Sequence, residues 1–206
     1  MAEITPPRTI AVVEQQRTGT IVPTGIERTF GPDQIIVSKT DLQGRLTYVN
    51  DVFLEVSRFR EDELIGRPHN VIRHPDMPRT IFKLLWTEIA AGRELFAYVV
   101  NLCKDGGHYW VFAHVTPTIS RGSITGYHSN RRVADRGAVA RVADVYRTIR
   151  LAESRHSHPR EAMAAGSAAL DGLLADHGQT YDEFVWSLAA APTTTRTPAF
   201  AHGGAR

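Results

Sequence analysis

Three residues with complementary chemistry lie close together in the first half of the chain: Arg73, His74 and Asp76. A guanidinium pairs with carbonyl or phosphate oxygens, an imidazole titrates near neutral pH, and a carboxylate can orient either group. The three residues therefore predict a binding site for a polar ligand. A purely structural role is the alternative, in which Asp76 caps a helix and Arg73 bridges to it.

Further polar and aromatic side chains extend this candidate site. Asn50 and Asn101 each offer a donor and an acceptor, although Asn50 could equally cap a helix and Asn101 could lie at a strand edge. Trp86 falls on a predicted helix, where it either contacts the ligand or packs in the core. Tyr109 and Trp110 alternate on a predicted strand, so only one of them faces the ligand, and the sequence leaves both choices open.

Other kinds of site chemistry find no support in the sequence. The single cysteine, Cys103, cannot form an internal disulfide, and no CxxC, CxxCH, GxGxxG or P-loop pattern occurs. His156 and His158 resemble a metal-binding pair, but beside Pro159 they are more typical of a solvated linker. We therefore expect no metal site and no catalytic residues, and hence no enzyme.

Composition narrows the possible partners and the location. Lys and Arg number 24 against 22 Asp and Glu, and they are scattered along the chain, so we expect no nucleic-acid partner. No run of about 18 apolar residues occurs, and the amino terminus does not resemble a signal peptide. We expect a cytoplasmic protein with no direct membrane insertion.

The elements that must position these residues follow from hydrophobic periodicity and turn residues. Residues 35–40 and 45–49 predict a hairpin, short helical patterns follow, and residues 77–91 predict a longer helix that Asp76 could cap. Three further strands are predicted at residues 96–103, 108–118 and 123–133. These elements predict an α+β fold in which short helices close one face of a five-stranded antiparallel sheet and enclose a pocket.

The rest of the chain divides by composition. Residues 1–32 predict an arm with a short helix or strand near residues 10–13, and residues 33–133 form the expected core domain. Residues 137–190 predict a helical extension, with apolar stripes at residues 138–155 and 160–175 and a capping box that begins at Thr180. Residues 191–206 are rich in Pro, Thr, Gly and Ala, which predicts a disordered tail.

Four sequence blocks resemble the PAS domain of the bacterial aerotaxis receptor family. They are YVND-x-F at residues 48–53, ELIGRPHN at 63–70, RHPDMP at 73–78 and KDG-x-HYWV at 104–111. The resemblance runs over residues 35–132 and implies a PAS fold that holds FAD non-covalently and reports redox or oxygen status to the chemotaxis machinery. Residues 134–206 show neither the membrane anchor nor the long signalling hairpin of that family, so we expect another chain to supply the output.

The same resemblance implies which residues hold the FAD. Arg73, His74 and Asp76 match the flavin-binding block of the family, and Asn50 and Asn101 match family asparagines suited to the alternating donors and acceptors of a flavin edge. The remaining candidates are Trp86 and Tyr109. One departure is Leu95, which stands where close relatives carry tryptophan.

Several functional alternatives stay open at this point. A haem-binding PAS gas sensor is one, because His69 and His74 lie in the helical region. A cofactor-free PAS dimerisation module and a flavin reductase are others. A photosensor with a reactive cysteine is disfavoured because Cys103 falls on a strand. The expected partners are a second copy of the chain, through the C-terminal helices, and a chemoreceptor or another signalling protein.

Overall fold

The computed structural model describes residues 21–190, and the first part of the predicted arm and the predicted tail at 191–206 lie outside them. The strands are β1 (Ile36–Thr40), β2 (Leu46–Val49), β3 (Leu95–Leu102), β4 (His108–Ser120) and β5 (Ser123–Val133). The helices are α1 (Asp51–Ser57), α2 (Glu61–Leu64), a 3-10 helix (His69–Ile72), α3 (Arg79–Ala90), α4 (Arg136–Ser154), α5 (Pro159–Asp176) and α6 (Tyr181–Ala190).

The five strands form one antiparallel sheet in the order β2-β1-β5-β4-β3. The hairpin β1–β2 turns at Gly44, whose φ of 73° is a conformation that favours glycine. The meander β3–β4–β5 then returns so that β5 pairs with β1, with Ser38 opposite Ser129. The predicted α+β architecture of a five-stranded sheet with short helices and C-terminal helices is confirmed.

The described part of the arm lies against the start of β4. The amide of Thr24 donates to Gly106 O at 2.8 Å, and the amide of His108 donates to Ile26 O at 2.9 Å. Arg28 also forms an ion pair with Asp105 in the β3–β4 turn. Residues 24–28 therefore run alongside the sheet and cover the turn at its end.

The two faces of the sheet pack against different helices. On the inner face, toward α1 and α3, Tyr109, Val111 and Arg131 are buried. On the outer face, Trp110 stacks on Tyr146 of α4 with ring centroids 6.3 Å apart. Because side chains alternate along a strand, this arrangement places Tyr109 inside and Trp110 outside, which the sequence had left open.

The C-terminal helices cover the outer face of β3 and β4. Tyr146 Oη donates to Tyr98 O at 2.6 Å, and Trp186 of α6 lies 4.9 Å from Phe96 and 5.5 Å from Phe112 between ring centroids. The apolar stripe of α4 is thus buried, with Val142, Tyr146 and Ile149 covered, whereas α5 packs on α4 and α3. No helix within residues 21–190 is both long enough and apolar enough to cross a membrane.

The end of α4 reaches past the sheet to the start of α3. Glu153 accepts hydrogen bonds from the amide of Arg79 at 3.2 Å, and from the amide and hydroxyl of Thr80, each at 2.8 Å. The interpretation that Asp76 caps this helix is therefore wrong. Pro78 occupies the N-cap position and has no capping side chain, so a carboxylate distant in the sequence satisfies the free amides of α3.

Candidate functional site

A cavity of about 380 Å³ lies between α3 and the inner face of the sheet. Its volume falls within the range of about 300 to 1,000 Å³ that is typical of small-molecule sites. Its walls are largely apolar. The apolar lining residues are Phe82, Leu85, Trp86, Ile89, Val99, Ala113 and Val115. Polar lining residues are concentrated where β5, β1 and the 3-10 helix meet, and Asn101 on β3 and Arg73 before α3 add further polar side chains.

Arg131 is the charged group at the polar end of the cavity. Its side chain is only 2% exposed, and the guanidinium lies 5.2 Å from the ring of Phe53. Nε donates to Ser129 Oγ at 3.0 Å. Nη2 donates to Ser38 Oγ and, at 2.9 Å, to His69 Nε2. These neutral partners hold the guanidinium in place without neutralising its charge.

No carboxylate within residues 21–190 forms an ion pair with Arg131. Burial lowers the pKa of Arg131 to about 10, so the side chain stays cationic at neutral pH. A buried charge without a partner of opposite sign is costly, and such groups are usually paired. The cavity is therefore suited to a ligand with negative charge or several acceptor atoms.

Besides the hydroxyl of Thr40, two buried nitrogen donors at the cavity have no hydrogen-bond partner within residues 21–190. They are Nη1 of Arg131 and Nδ2 of Asn101, whose residue is 3% exposed. Buried polar atoms in folded proteins are nearly always hydrogen-bonded, so donors left free in a cavity indicate acceptor atoms on a ligand. Asn101 and Arg131 both line the cavity, and the contact of Asn101 with a ligand stays a prediction.

Trp86 and Gly44 form the rim of the cavity. The indole of Trp86 is 38% exposed and packs edge-on against Tyr127 with centroids 5.4 Å apart. A Cβ on Gly44 would lie 2.7 Å from the Trp86 ring, so only a glycine allows this approach. The β1–β2 turn therefore holds the indole in position over the cavity.

Arg73 lies where the cavity opens to the surface. Its guanidinium donates to Met77 O at 2.9 Å and stacks 5.1 Å from the ring of Phe82. The backbone of Arg73 also forms a bridge with Asn101, which links the segment before α3 to β3. Burial, followed by the nearby charge of Arg79, lowers the pKa of Arg73. Arg73 is thus fixed at the mouth with part of its guanidinium facing the cavity.

The other two residues of the predicted trio lie outside the cavity. His74 is buried with its ring 5.6 Å from that of His108, and burial lowers its pKa although Asp76 opposes this shift. The side chain of Asp76 is 56% exposed and forms an ion pair of 2.5 Å with Arg150 of α4. Arg73 does not bridge to Asp76, and a role for either residue in ligand binding stays a prediction.

Asn50 and Tyr109 also lie away from the cavity lining. Asn50 caps α1, since its side-chain oxygen accepts from the amides of Phe53 and Val37 at 3.2 and 2.9 Å. Tyr109 is completely buried on the inner face, where burial raises the pKa of its phenol and Oη has no partner. Direct contact between either residue and a ligand stays a prediction.

Sequence reasoning missed Arg131, Ser38 and Ser129, and it considered His69 only as a possible haem ligand. Ser38 on β1 and Ser129 on β5 are paired neighbours, and Arg131 follows Ser129 by two positions. Polar residues at this spacing share one face of a strand. That pattern was available in the sequence, but only the pairing of β1 with β5 shows that the shared face is buried.

His69 predicts a dependence of stability on pH in the ligand-free protein. Burial, and next the charge of Arg131, lowers its pKa in the folded state to about 3, against 6.5 for an unperturbed imidazole. As pH falls, the unfolded chain binds the proton first, so folding free energy is lost below the unfolded pKa. Between pH 6 and pH 5, the free energy of unfolding should fall by about 1 kcal/mol more in wild type than in His69→Gln.

Chemical denaturation at both pH values measures this difference. Glutamine keeps an acceptor for Arg131, and His156→Gln, which removes an exposed imidazole, is the matched control. If the free energy of unfolding changes equally with pH in wild type and His69→Gln, His69 takes up its proton in the folded protein as easily as in the unfolded chain.

Comparisons with known proteins agree with this architecture. The family of the PAS fold matches residues 34–128. The aerotaxis receptor of Escherichia coli (strain K12) is 40% identical over 117 residues, which are 57% of this chain and 23% of the receptor. Blue-light-activated histidine kinase 1 of Erythrobacter litoralis (strain HTCC2594) is 30% identical over 113 residues, or 54% of this chain and 31% of the kinase.

The chain also matches a solved structure. It comes from a study of a flavin analogue in a light-oxygen-voltage domain, with a TM-score of 0.47 and 17% identity over 53% of this chain and 84% of that chain. The chain spans less than a third of the length of either relative, 23% and 31% respectively.

Proposed function

Given that residues 34–128 are a PAS domain related in sequence to the aerotaxis receptor, we propose that this domain binds FAD and acts as a redox-responsive sensor. In this proposal residues 33–133 form the sensor domain and residues 137–190 form an extension that carries the output. The protein acts by binding partners rather than by catalysis.

The unpartnered donors in the cavity are the observation that supports a flavin most directly. The pyrimidine edge of the isoalloxazine ring carries carbonyl and ring-nitrogen acceptors, and Arg131 Nη1 and Asn101 Nδ2 are buried donors without partners. Phe82, Leu85 and Val99 supply apolar walls for the flat ring. When bound, a flavin supplies reversible electron uptake, and the charge near its ring nitrogens tunes that chemistry.

The charge of Arg131 suits a ligand that gains electrons. A fixed cation in a buried site stabilises negative charge on a nearby ligand more strongly than in water. Ser38, Ser129 and His69 hold the guanidinium in one orientation. Negative charge added to the ligand would therefore be stabilised without a rearrangement of these side chains. A change in this network would reach α3 and the sheet, on which the output helices pack.

A haem ligand fits the cavity less well. Nε2 of His69, the imidazole at the polar end, accepts a hydrogen bond from Arg131 at 2.9 Å. Coordination of iron by that nitrogen would require this bond to break and would bring a second positive centre close to a buried cation. The arrangement therefore favours an organic ring with acceptors.

The absorbance spectrum of the purified protein tests the proposal. Flavin bands that bleach with dithionite, and FAD as the released compound, are the expected result. A Soret band would show that the ligand is haem and not a flavin. Failure to bind added FAD would refute the proposal. Oxidation of a nicotinamide at enzymatic rates would contradict the non-catalytic role.

The proposed output is protein interaction in the cytoplasm, through a homodimer and toward a chemoreceptor or another signalling protein. In the extension, Leu151 is 56% exposed and Trp186 is 49% exposed, so both side chains are accessible to a partner. Sedimentation of oxidised and reduced protein tests the dimer. A monomer in both states would exclude signalling through a homodimer.

A further inference from the structure

A large groove continues from the mouth of the cavity across the surface to α4. Its volume is about 2,020 Å³, and it shares Pro68, Asn70 and Arg73 with the cavity. Residues 59–79 form one wall, and the end of α4 with the start of α5 forms the other. A ligand that filled the cavity and extended past Arg73 would therefore lie between the PAS domain and its extension.

This surface, which we name the basic groove, has an excess of cationic side chains. The cationic lining residues are Arg45, Arg60, Arg67, Arg73, Arg79, Lys104, Arg147 and Arg150. The acidic lining residues are Asp62, Glu63 and Glu153. Arg and Lys thus outnumber the carboxylates, and the groove attracts anions.

The carboxylates in the basic groove are already engaged. Asp62 pairs with Arg60 at 2.9 Å, Glu63 pairs with Lys104 at 2.6 Å, and Glu153 caps α3. Among the described residues, Arg45, Arg67, Arg73 and Arg79 have no carboxylate within ion-pair distance. The uncompensated charge is therefore concentrated along the wall that leads out of the cavity.

The opposite wall adds two arginines from the extension. Arg147 and Arg150 lie three positions apart on α4, so they project from the same side of that helix. Arg147 is 67% exposed and pairs with Asp144 on its own helix, and Arg150 pairs with Asp76. Both residues line the basic groove, as Arg73 does.

We infer that the basic groove is a phosphate subsite, in which Arg67 from the PAS domain and Arg147 from α4 bind the diphosphate of a dinucleotide whose ring occupies the cavity. This inference rests on the proposed function. Guanidinium groups suit phosphate oxygens because they can donate two parallel hydrogen bonds to one anion. The extension is then part of the ligand site, and the bound dinucleotide links it to the PAS domain.

The test compares flavins that share the ring but differ in phosphate. Titrations of the full chain with FAD, FMN and riboflavin should give the order FAD, FMN, riboflavin from tightest to weakest. Arg67→Gln and Arg147→Gln should each lower the affinity for FAD by about five- to tenfold and leave the affinity for riboflavin unchanged. Added salt should weaken FAD binding and spare riboflavin.

The control variants are Arg155→Gln at the C-cap of α4 and Arg160→Gln in the first turn of α5, which remove the same charge at residues that do not line the basic groove. They should leave all three affinities at the wild-type values. Arg147 is exposed, so its variant should also unfold at the wild-type temperature.

Each outcome decides between the two proposals. Equal binding of FAD and riboflavin, or variants that weaken both alike, would overturn the phosphate subsite and leave flavin binding intact. A protein that binds none of the three flavins would refute the proposed function and the subsite together.

Discussion

Replacement of Arg131 by methionine is expected to lower FAD affinity by about 100-fold, because charge-assisted hydrogen bonds in buried sites are the strongest contacts this cavity offers. The side chain is 2% exposed and has a free Nη1 donor. Methionine has a similar length and keeps the packing against Phe53. The loss therefore reports the charge and the donors of Arg131 rather than a hole in the core.

The same substitution should leave the ligand-free protein at least as stable as wild type. Removal of an uncompensated buried cation is neutral or stabilising by about 1 to 4 kcal/mol when an apolar side chain fills its place. Of the polar groups left behind, Ser38 Oγ and His69 Nε2 lie 3.3 Å apart and can pair with each other, while Ser129 Oγ loses the donor that Arg131 Nε supplies. Binding lost without loss of stability would separate a ligand-binding role from a structural one.

Isothermal titration with FAD and chemical denaturation without ligand measure the two effects. Arg132→Met is the matched control, because Arg132 is the exposed neighbour on the outer face of β5. It should leave FAD affinity within about twofold of wild type. If Arg131→Met binds FAD as tightly as wild type, the cavity does not use this guanidinium, and the main support for a flavin is lost.

Gly166→Ala should destabilise the protein by about 1 to 3 kcal/mol, the usual cost of overpacking. Gly166 of α5 faces the start of α3, and a Cβ there would lie 2.2 Å from Thr80 Oγ1 and 2.8 Å from Glu153 Cγ. Alanine favours a helix over glycine by about 1 kcal/mol, so propensity alone predicts the opposite sign. The steric cost should win because Thr80 and Glu153 are held by the cap of α3.

Gly172→Ala is the matched control on the same helix. A Cβ at Gly172 would meet nothing within 4 Å. The higher helix propensity of alanine should therefore raise the free energy of unfolding of this variant by about 0.5 to 1 kcal/mol. Thermal or chemical unfolding measures both variants, and amide exchange at Arg79 and Thr80 should rise only in Gly166→Ala. If both variants are stabilised, α5 does not pack closely on α3 in solution.

These two experiments probe opposite sides of α3. Arg131 lies below it in the cavity, and Gly166 lies beside its first turn, where Glu153 of α4 caps the helix. Movement of α3 in response to the ligand would therefore change contacts with the extension directly. This arrangement offers a physical route from the cavity to the C-terminal helices.

Local patterns in the sequence were sufficient for the elements and part of the site. The hairpin, the meander and the helices follow from alternation, turn residues and helical periodicity, which depend on near neighbours only. Arg73, Asn101 and Trp86 were predicted at the site and do line the cavity. The exclusion of Asp76 from the cap of α3 was not predictable, because the carboxylate that replaces it is Glu153, 73 positions away from Thr80.

What the sequence determined by itself was the set of strands and helices and the PAS resemblance, since both reside in short contiguous patterns. Tertiary structure decided which face of each strand is buried. Only the pairing of β5 with β1 and β4 places Tyr109 inside, Trp110 outside and Arg131 in the cavity, where no carboxylate of residues 21–190 pairs with it. Burial and the absence of a partner are properties of distant segments brought together, so no local pattern encodes them.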